Sequence, residues 1–568
     1  FSVNMYSGLL DELKVYNRIL TEKEISYNYQ ENIDQINKPD LEFNRSRYVG
    51  DKYRPEYHFV APAHWMNEPH APMYYDPNPA DDKKGKYHLF YQHNPYGPYW
   101  HQIHWGHAVS KDLVHWEDAE IAIAPQEPVT PDGVWSGDSV ISPAGEPLLF
   151  FTAGDDERGR YSDKTNQNIG LAEAINPKDE DLNDWKVYDK LVIEQTKEDS
   201  NLNALSFGQF RDPFVWKDDK TGDYYQLVGT GLIGRLGGTT TLYRATDESL
   251  KNWDLIGNLY QSDPQKYPIV SHVWELPVLL PLNTKNGSKT DKYILLFSPY
   301  FKEDSPLAVK FVPYWVGELV RNENEIITGF EPDHEDPRIF DYGENFTGPS
   351  GFVTPDGRSI LFSIAQGKRT PEQHYNSGWA HNAGLPLNLY LEKNNNKEFK
   401  LRINPIKELK SLRKMKMVDI ENMSLKETNK ILREVNGDSL EIILEISPQN
   451  ATKYGIKVRK SPDSKQETLI YYDKNNSEIY IDRSKSSQMK DIAKGIQGGE
   501  MKINNENLRL HIYLDHSMVE VYANNKKSLT SRVYPDRDDA DGLQIFSDKE
   551  IIIKNMKVYK LGTAYKSN

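Results

Sequence analysis

Short runs that alternate between apolar and polar residues cover most of the chain, and they predict strands. Between about Tyr53 and Tyr390 the runs "KYHLFYQHN", "GEPLLFFTAG", "DYYQLVGTG" and "KYILLFSPY" are separated by turns rich in Gly, Asn, Asp and Pro. No stretch there holds helical periodicity for any length. Many short strands over this span predict an all-β propeller or a large sandwich. No strict short repeat is visible, so each blade of a propeller must be irregular and loop-decorated. From about residue 436 the alternation returns in "SLEIILEI", "TLIYYD", "LRLHIYLDHSMVEVYAN" and "IIIKNMKVYKL", which predicts a C-terminal β-sandwich over 436–568. Between the two, residues 392–435 read as a linker with a helical segment. There "EKNNNKEFK" is polar, and Ile406, Leu409 and Leu412 fall at helical spacing beside basic residues that suit a solvated helix face.

The first forty residues form a separate unit. Leu10 to Tyr16 alternate as a short strand, and Thr21 and Glu24 stand in capping-box spacing ahead of a helix. One strand and one helix cannot bury a core. The stretch resembles the closing segment of a laminin-G or concanavalin A-like domain, which leaves 41–391 for the main β domain.

At 568 residues, with 38% hydrophobic and 11% aromatic content, the chain is long enough for two or three domains with real cores. The net charge of −15 argues against nucleic acid as a partner, because phosphate contacts need clustered cations. No apolar run approaches the roughly 18 residues of a membrane span. The absence of cysteine excludes disulfides, thiolate nucleophiles and cysteine-ligated metals. A cysteine-free chain with 35 tyrosines and 11 tryptophans fits an exported bacterial protein, extracellular or at the cell surface, and is read as a fragment of a longer one.

Three acidic residues stand apart from the other carboxylates: Glu68 in "WMNEPH", Asp212 in "FRDPF" and Glu275 in "VWELP". Each is followed by proline or Leu-Pro, which suits the end of a strand. Hydrolysis of a sugar acetal needs two carboxyls in different environments, one ionised and one holding a proton. Trp65, Trp100, Trp105, Trp135, Trp274 and Trp379 lie in the same region, and a tryptophan ring can cover the apolar face of a sugar. Core packing is the alternative for each of them. His101, His104 and His107 are expected on different faces of a loop and strand, so no metal site is assigned. No cofactor motif is present either, with neither a Gly-rich phosphate loop nor a G-x-S-x-G elbow. Asp515, His516 and Glu520 in "LDHSMVEVY" read as polar residues on the wet face of a hairpin.

The run "WMNEPHAPMYYDPNPADDKKGKYHLFYQHNPYGPYWHQIHWGHAVSKDLVHWE" resembles the opening blade of glycoside hydrolase family 32, the invertase, inulinase and levanase enzymes. It is followed in the family's order by "VWSGDSVI", "FRDPFVW", "VWELPVLLPL", "FDYGENFTGPSGF" and "SGWAHNAGLPLNLYL", and by the C-terminal "LHIYLDHSMVEVYANN". The resemblance implies a five-bladed β-propeller followed by a β-sandwich. It places Glu68 at the family's nucleophile, Asp212 at its transition-state stabiliser and Glu275 at its acid/base. It puts Asn67, Gln92, Trp100, Trp105, Trp135, Ser136 and Arg211 around a fructose unit, and Trp65 and Trp379 are counted with them. The implied activity is retaining hydrolysis of fructans, levan or inulin, polymeric or oligomeric. Transfer of the fructosyl unit to another sugar, including formation of difructose anhydrides, and a weakened fructan-binding role remain alternatives.

The chain departs from the family's usual W-M-N-D-P-N-G, reading W-M-N-E-P-H-A instead. Glutamate reaches one methylene further than aspartate, and a misplacement on the order of an ångström can cost about a hundredfold in rate. A pocket rebuilt around Glu68, with His70 and Ala71 as matching changes, is therefore expected. Leu276 where the family often has cysteine, and Asp138 where serine or alanine is common, are expected to alter the pocket wall.

Overall fold

A computed structural model describes residues 16–25, 45–80, 84–161, 165–195, 205–302, 305–394, 397–504 and 506–565. Five sheets of four or five strands, antiparallel apart from one short parallel pairing, precede a six-stranded and a five-stranded sheet. Each of the first five opens with a strand that faces a common axis: His64–Tyr75, Gly133–Ile141, Leu205–Lys217, Trp274–Pro281 and Thr347–Val353. Every one of these packs against the next, and the fifth returns to the first, which closes a ring of five blades. Trp379–Ala380 then pairs in parallel with His64 and Trp65 and fastens the last blade to the first. The fold is a five-bladed β-propeller followed by a β-sandwich, as the resemblance implies, where the alternation alone left a propeller or a large sandwich open.

The prolines after the three acids do not mark strand ends. Pro69 and Pro213 lie inside their strands, beside register shifts between Met66 and Pro69 and opposite Leu227 and Gly229. Similar shifts interrupt Trp135/Gly137, Glu275/Val278 and Thr347/Ser350. The axis-facing strand of a blade is an edge strand, so a residue lacking an N–H costs no ladder bond there, and the bulge re-aims its neighbours. Ala71, Asp212, Leu276 and Gly348 take positive φ at these interruptions.

Close approach of two blades needs one glycine in particular. A Cβ on Gly229 would meet the Trp274 carbonyl oxygen at 2.5 Å. Trp274 is itself fully buried, stacked on Phe297 at 3.9 Å, with its indole N–H donated to the Val270 carbonyl at 2.9 Å. A buried side chain of this size holds its strand by on the order of 3 kcal/mol.

The expected linker over 392–435 is mostly sheet. Phe399–Pro405 completes the fifth blade, and Arg413–Ser424 is the edge strand of the six-stranded sheet. Ile406, Leu409 and Leu412 are buried on a short 3-10 turn, Lys407–Leu412, not on a long amphipathic helix. Period three suits both kinds of helix, and the strand from Arg413 continues the basic run of that turn, so the two read together. The helix of this region lies further on, at Leu425–Leu432, capped by Ser424 and Glu427. Of the N-terminal unit, the Thr21–Glu24 capping contacts are present, while the strand expected from Leu10 lies outside the described residues except for Tyr16.

Asp515 and Glu520 are not on a wet face. Both are buried between propeller and sandwich, where His58 Nδ1 bonds Asp515 at 2.8 Å and Nε2 lies 3.3 Å from Glu520. Asp515 also accepts from the backbone N–H groups of Glu56, Tyr57 and His58. Alternation shows which residues share a face, but a second domain covers this one.

Candidate active site

Three of the five axial strands bring the predicted acids to the axis. The first carries Glu68, the third Asp212 and the fourth Glu275, each next to a bulge. Asp212 takes φ 59° and Leu276 φ 47°, conformations that cost a side-chain-bearing residue about 1–2 kcal/mol and persist where surrounding bonds fix them. Here the bonds are visible. The Asp212 N–H donates to Thr152 Oγ1 at 2.7 Å, and Asp212 Oδ2 accepts the Leu276 N–H at 3.1 Å. Thr152 in turn donates to the Ser136 carbonyl at 2.9 Å, tying the second blade to the third.

Glu68 remains partly accessible, and its carboxylate is held by two donors. Asn67 Nδ2 reaches Oε1 at 2.6 Å, and Ser136 Oγ reaches Oε2 at 3.2 Å. Gln92 Nε2 donates to Ser136 Oγ at 2.7 Å, which leaves the serine proton free to point at Glu68. Glu275 accepts from Arg211 through Nε at 3.0 Å and Nη2 at 2.9 Å. The guanidinium is fixed from behind by Gln167 and Gln209 and lies over the exposed Tyr300 ring, 5.3 Å from its centroid.

The three acids feel one another. Burial, then the charges of Asp212 and Glu275, push the Glu68 carboxyl up to about 8, against the hydrogen bond from Ser136. Burial raises Asp212 to about 7, with Arg211 opposing and Glu275 adding to the rise. Three carboxyls beside one guanidinium therefore retain a proton near neutral pH. Which oxygen holds it is a property of the coupled group.

The predicted tryptophans divide by burial. Trp100 and Trp135 are partly exposed and pack on Trp65, Ile103 and Ala380. Trp65, Trp105 and Trp379 are buried to within 2%. Trp105 donates its indole N–H to the Trp135 carbonyl and Trp379 donates to Asp51, so these two brace the pocket from behind rather than facing a sugar. His70 is buried against Trp105, ring centroids 4.1 Å apart, and held neutral at about 3 by burial. Asp138 lines a small hollow shared with Asp212 and Leu276, accepts the Val215 N–H at 2.9 Å, and is held well above the usual carboxylate range by burial. Thr152, Gln167, Gln209 and Tyr300 have no sequence signature of their own; their roles depend on which strands the ring makes neighbours. Among the described residues no group of three His, Asp or Glu side chains is placed to hold a metal ion.

Two family models cover this architecture end to end. The glycosyl hydrolases family 32 N-terminal domain matches residues 58–405, and the family 32 C-terminal domain matches 408–560. The chain belongs to glycoside hydrolase family 32. This family 32 protein is a β-fructofuranosidase-type glycoside hydrolase. It is 28% identical to a sucrose-6-phosphate hydrolase of Zymomonas mobilis over 516 residues, 87% of this chain and 90% of that one. It is also 28% identical to a levanase of Bacillus subtilis over 537 residues, 91% of this chain and 71% of the levanase. In fold it matches fructan 1-exohydrolase IIa of Cichorium intybus, with a TM-score of 0.76, 22% identity and coverage of 91% and 99%. The family boundary between 405 and 408 agrees with the strands that replace the expected linker.

Proposed function

We propose that this enzyme releases fructose or short fructo-oligosaccharides from a fructan, levan or inulin, with retention at the anomeric carbon. The observation that carries the reading is the convergence of Glu68, Asp212 and Glu275 from three blades into one coupled acid cluster beside Arg211. In the first step a Glu68 oxygen bonds to C2 of the fructosyl unit. The bond from C2 to the leaving oxygen breaks, and Glu275 gives that oxygen its proton. In the second step a water oxygen bonds to C2, its proton passes to Glu275, and the ester bond to Glu68 breaks. The scheme requires Glu68 to be ionised, between Asn67 and Ser136, when the sugar binds. Asp212 holds sugar hydroxyls in this scheme.

Trp100 and Trp135 supply partly exposed aromatic faces for the fructose, and Tyr300 supplies another at the rim for the adjoining sugar. The likeness to a levanase supports a polymer as substrate. An exported enzyme, extracellular or at the cell surface, fits both that substrate and the cysteine-free composition. The test is the product profile on levan, inulin and sucrose, with the anomeric configuration of the first product read by NMR. Free fructose or short oligosaccharides with retained configuration are expected. New oligosaccharides or cyclic difructose without free sugar would replace hydrolysis with transfer, and inversion would remove Glu68 as nucleophile.

A further inference from the structure

The extra methylene of Glu68 has a place to go. Gly348, on the axial strand of the fifth blade, turns at φ +53° directly against Glu68. A methyl group on Gly348 would overlap Glu68 Cγ and would lie 3.4 Å from Glu68 Cβ and 3.0 Å from Ile364 Cγ2. The Gly348 N–H is anchored to Ser298 Oγ at 2.9 Å, and Ser298 is the ladder partner of Glu275. The notch over Gly348 is thus fixed relative to the opposing acid.

We infer that Gly348 is the positioning residue that fits this site to a glutamate nucleophile: its missing side chain receives Cγ of Glu68, so the longer side chain bends through the notch and returns its carboxylate to Asn67 and Ser136. An aspartate at 68 has no spare carbon to place there. A carboxyl group in the notch would face Ile364 and leave Asn67 Nδ2 and Ser136 Oγ unpaired, so an aspartate turns away from Gly348 toward its donors. Gly348 and Glu68 are therefore a matched pair across two blades. The inference rests on Glu68 being the nucleophile for its effect on rate, but not for its effect on packing.

The test is a pair of double-mutant cycles. In the first, kcat and KM are measured for Gly348→Ala in the Glu68 enzyme and in the Glu68→Asp variant. The strain of alanine at positive φ and the contact with Ile364 are common to both backgrounds and cancel. Gly348→Ala is expected to lower kcat by about a hundredfold with Glu68 present, KM changing little, and by less than about tenfold with aspartate there. Equal losses in both backgrounds overturn the pairing. The second cycle combines Gly348→Ala with Glu68→Ala and reads the thermal midpoint, so it needs no activity. The midpoint lost to Gly348→Ala is expected to shrink once Cγ is removed, leaving the share due to φ strain and Ile364, and an undiminished loss overturns the inference. Full turnover by Glu68→Ala would instead refute the nucleophile assignment and leave the packing result standing.

Discussion

Replacing Arg211 by methionine removes the guanidinium that contacts the acid cluster while keeping an apolar stem of similar reach. Two opposite charges about 4 Å apart interact by about 4 kcal/mol at an effective dielectric near 20. Glu275 is 28% exposed, so solvent screens part of this, and about 2–3 kcal/mol is the expected share. Arg211 opposes the rise of Asp212, so without it the cluster holds its protons more tightly. The sign follows: the carboxylates ionise at higher pH, and the acid limb of kcat/KM moves up by about one to two units. At a pH on that limb the loss is roughly 10- to 100-fold, and it shrinks above the limb. Arg211→Lys keeps the charge but cannot bridge Glu275, Gln167 and Gln209 together, so its limb stays nearly in place while the rate falls. The assay is kcat/KM for sucrose or a short fructan from pH 4 to 9. An acid limb unmoved in Arg211→Met would refute the view that this guanidinium opposes the rise of Asp212.

Ser136→Ala takes one donor from Glu68 and leaves the buried Gln92 unpaired, and should reduce kcat by about 10- to 100-fold while costing about 1 kcal/mol of folding stability, read by kinetics and thermal melts together. Trp105→Phe should destabilise the fold by about 1 kcal/mol through the orphaned Trp135 carbonyl with KM nearly unchanged, whereas Trp100→Ala should raise KM; the reverse pattern would contradict the division by burial. His58→Gln strands the buried Asp515 and Glu520 without a cation and should cost about 3–5 kcal/mol in denaturant unfolding. In the parent enzyme burial lowers the His58 pKa, but the Asp515 and Glu520 bonds outweigh it and raise it to about 9. The stability from His58 is then complete below about pH 6.5 and is lost as pH rises through about 9, a slope that His58→Gln should abolish.

The strands and the three acids were legible in the chain because alternation reports burial and because Glu68, Asp212 and Glu275 sit in ordered motifs. What was not legible depends on ring closure. The prolines after the acids read as strand ends, since a sequence does not say that a strand's free edge faces a central axis. Trp105 and Trp379 read as sugar platforms because their motif neighbours face the pocket, yet their indoles turn inward to Trp135 and Asp51. Asp515 and Glu520 read as solvated because the domain that buries them lies more than four hundred residues away along the chain, at His58. The linker between domains disappeared into two strands, one following the polar run before Phe399 and one continuing the basic run through Arg413. The departure at Glu68, visible as a single changed letter, became interpretable only beside Gly348 from the fifth blade.

The account turns on Glu68 carrying the sugar between the two steps. The Glu275→Gln variant, given β-fructofuranosyl fluoride, needs no acid to expel the leaving group but lacks the base that activates water, so the intermediate should accumulate. Rapid quenching, proteolysis and peptide mass mapping are expected to find one hexosyl unit esterified to Glu68. A label on Asp212, or no label with an inverted product, would contradict the central claim.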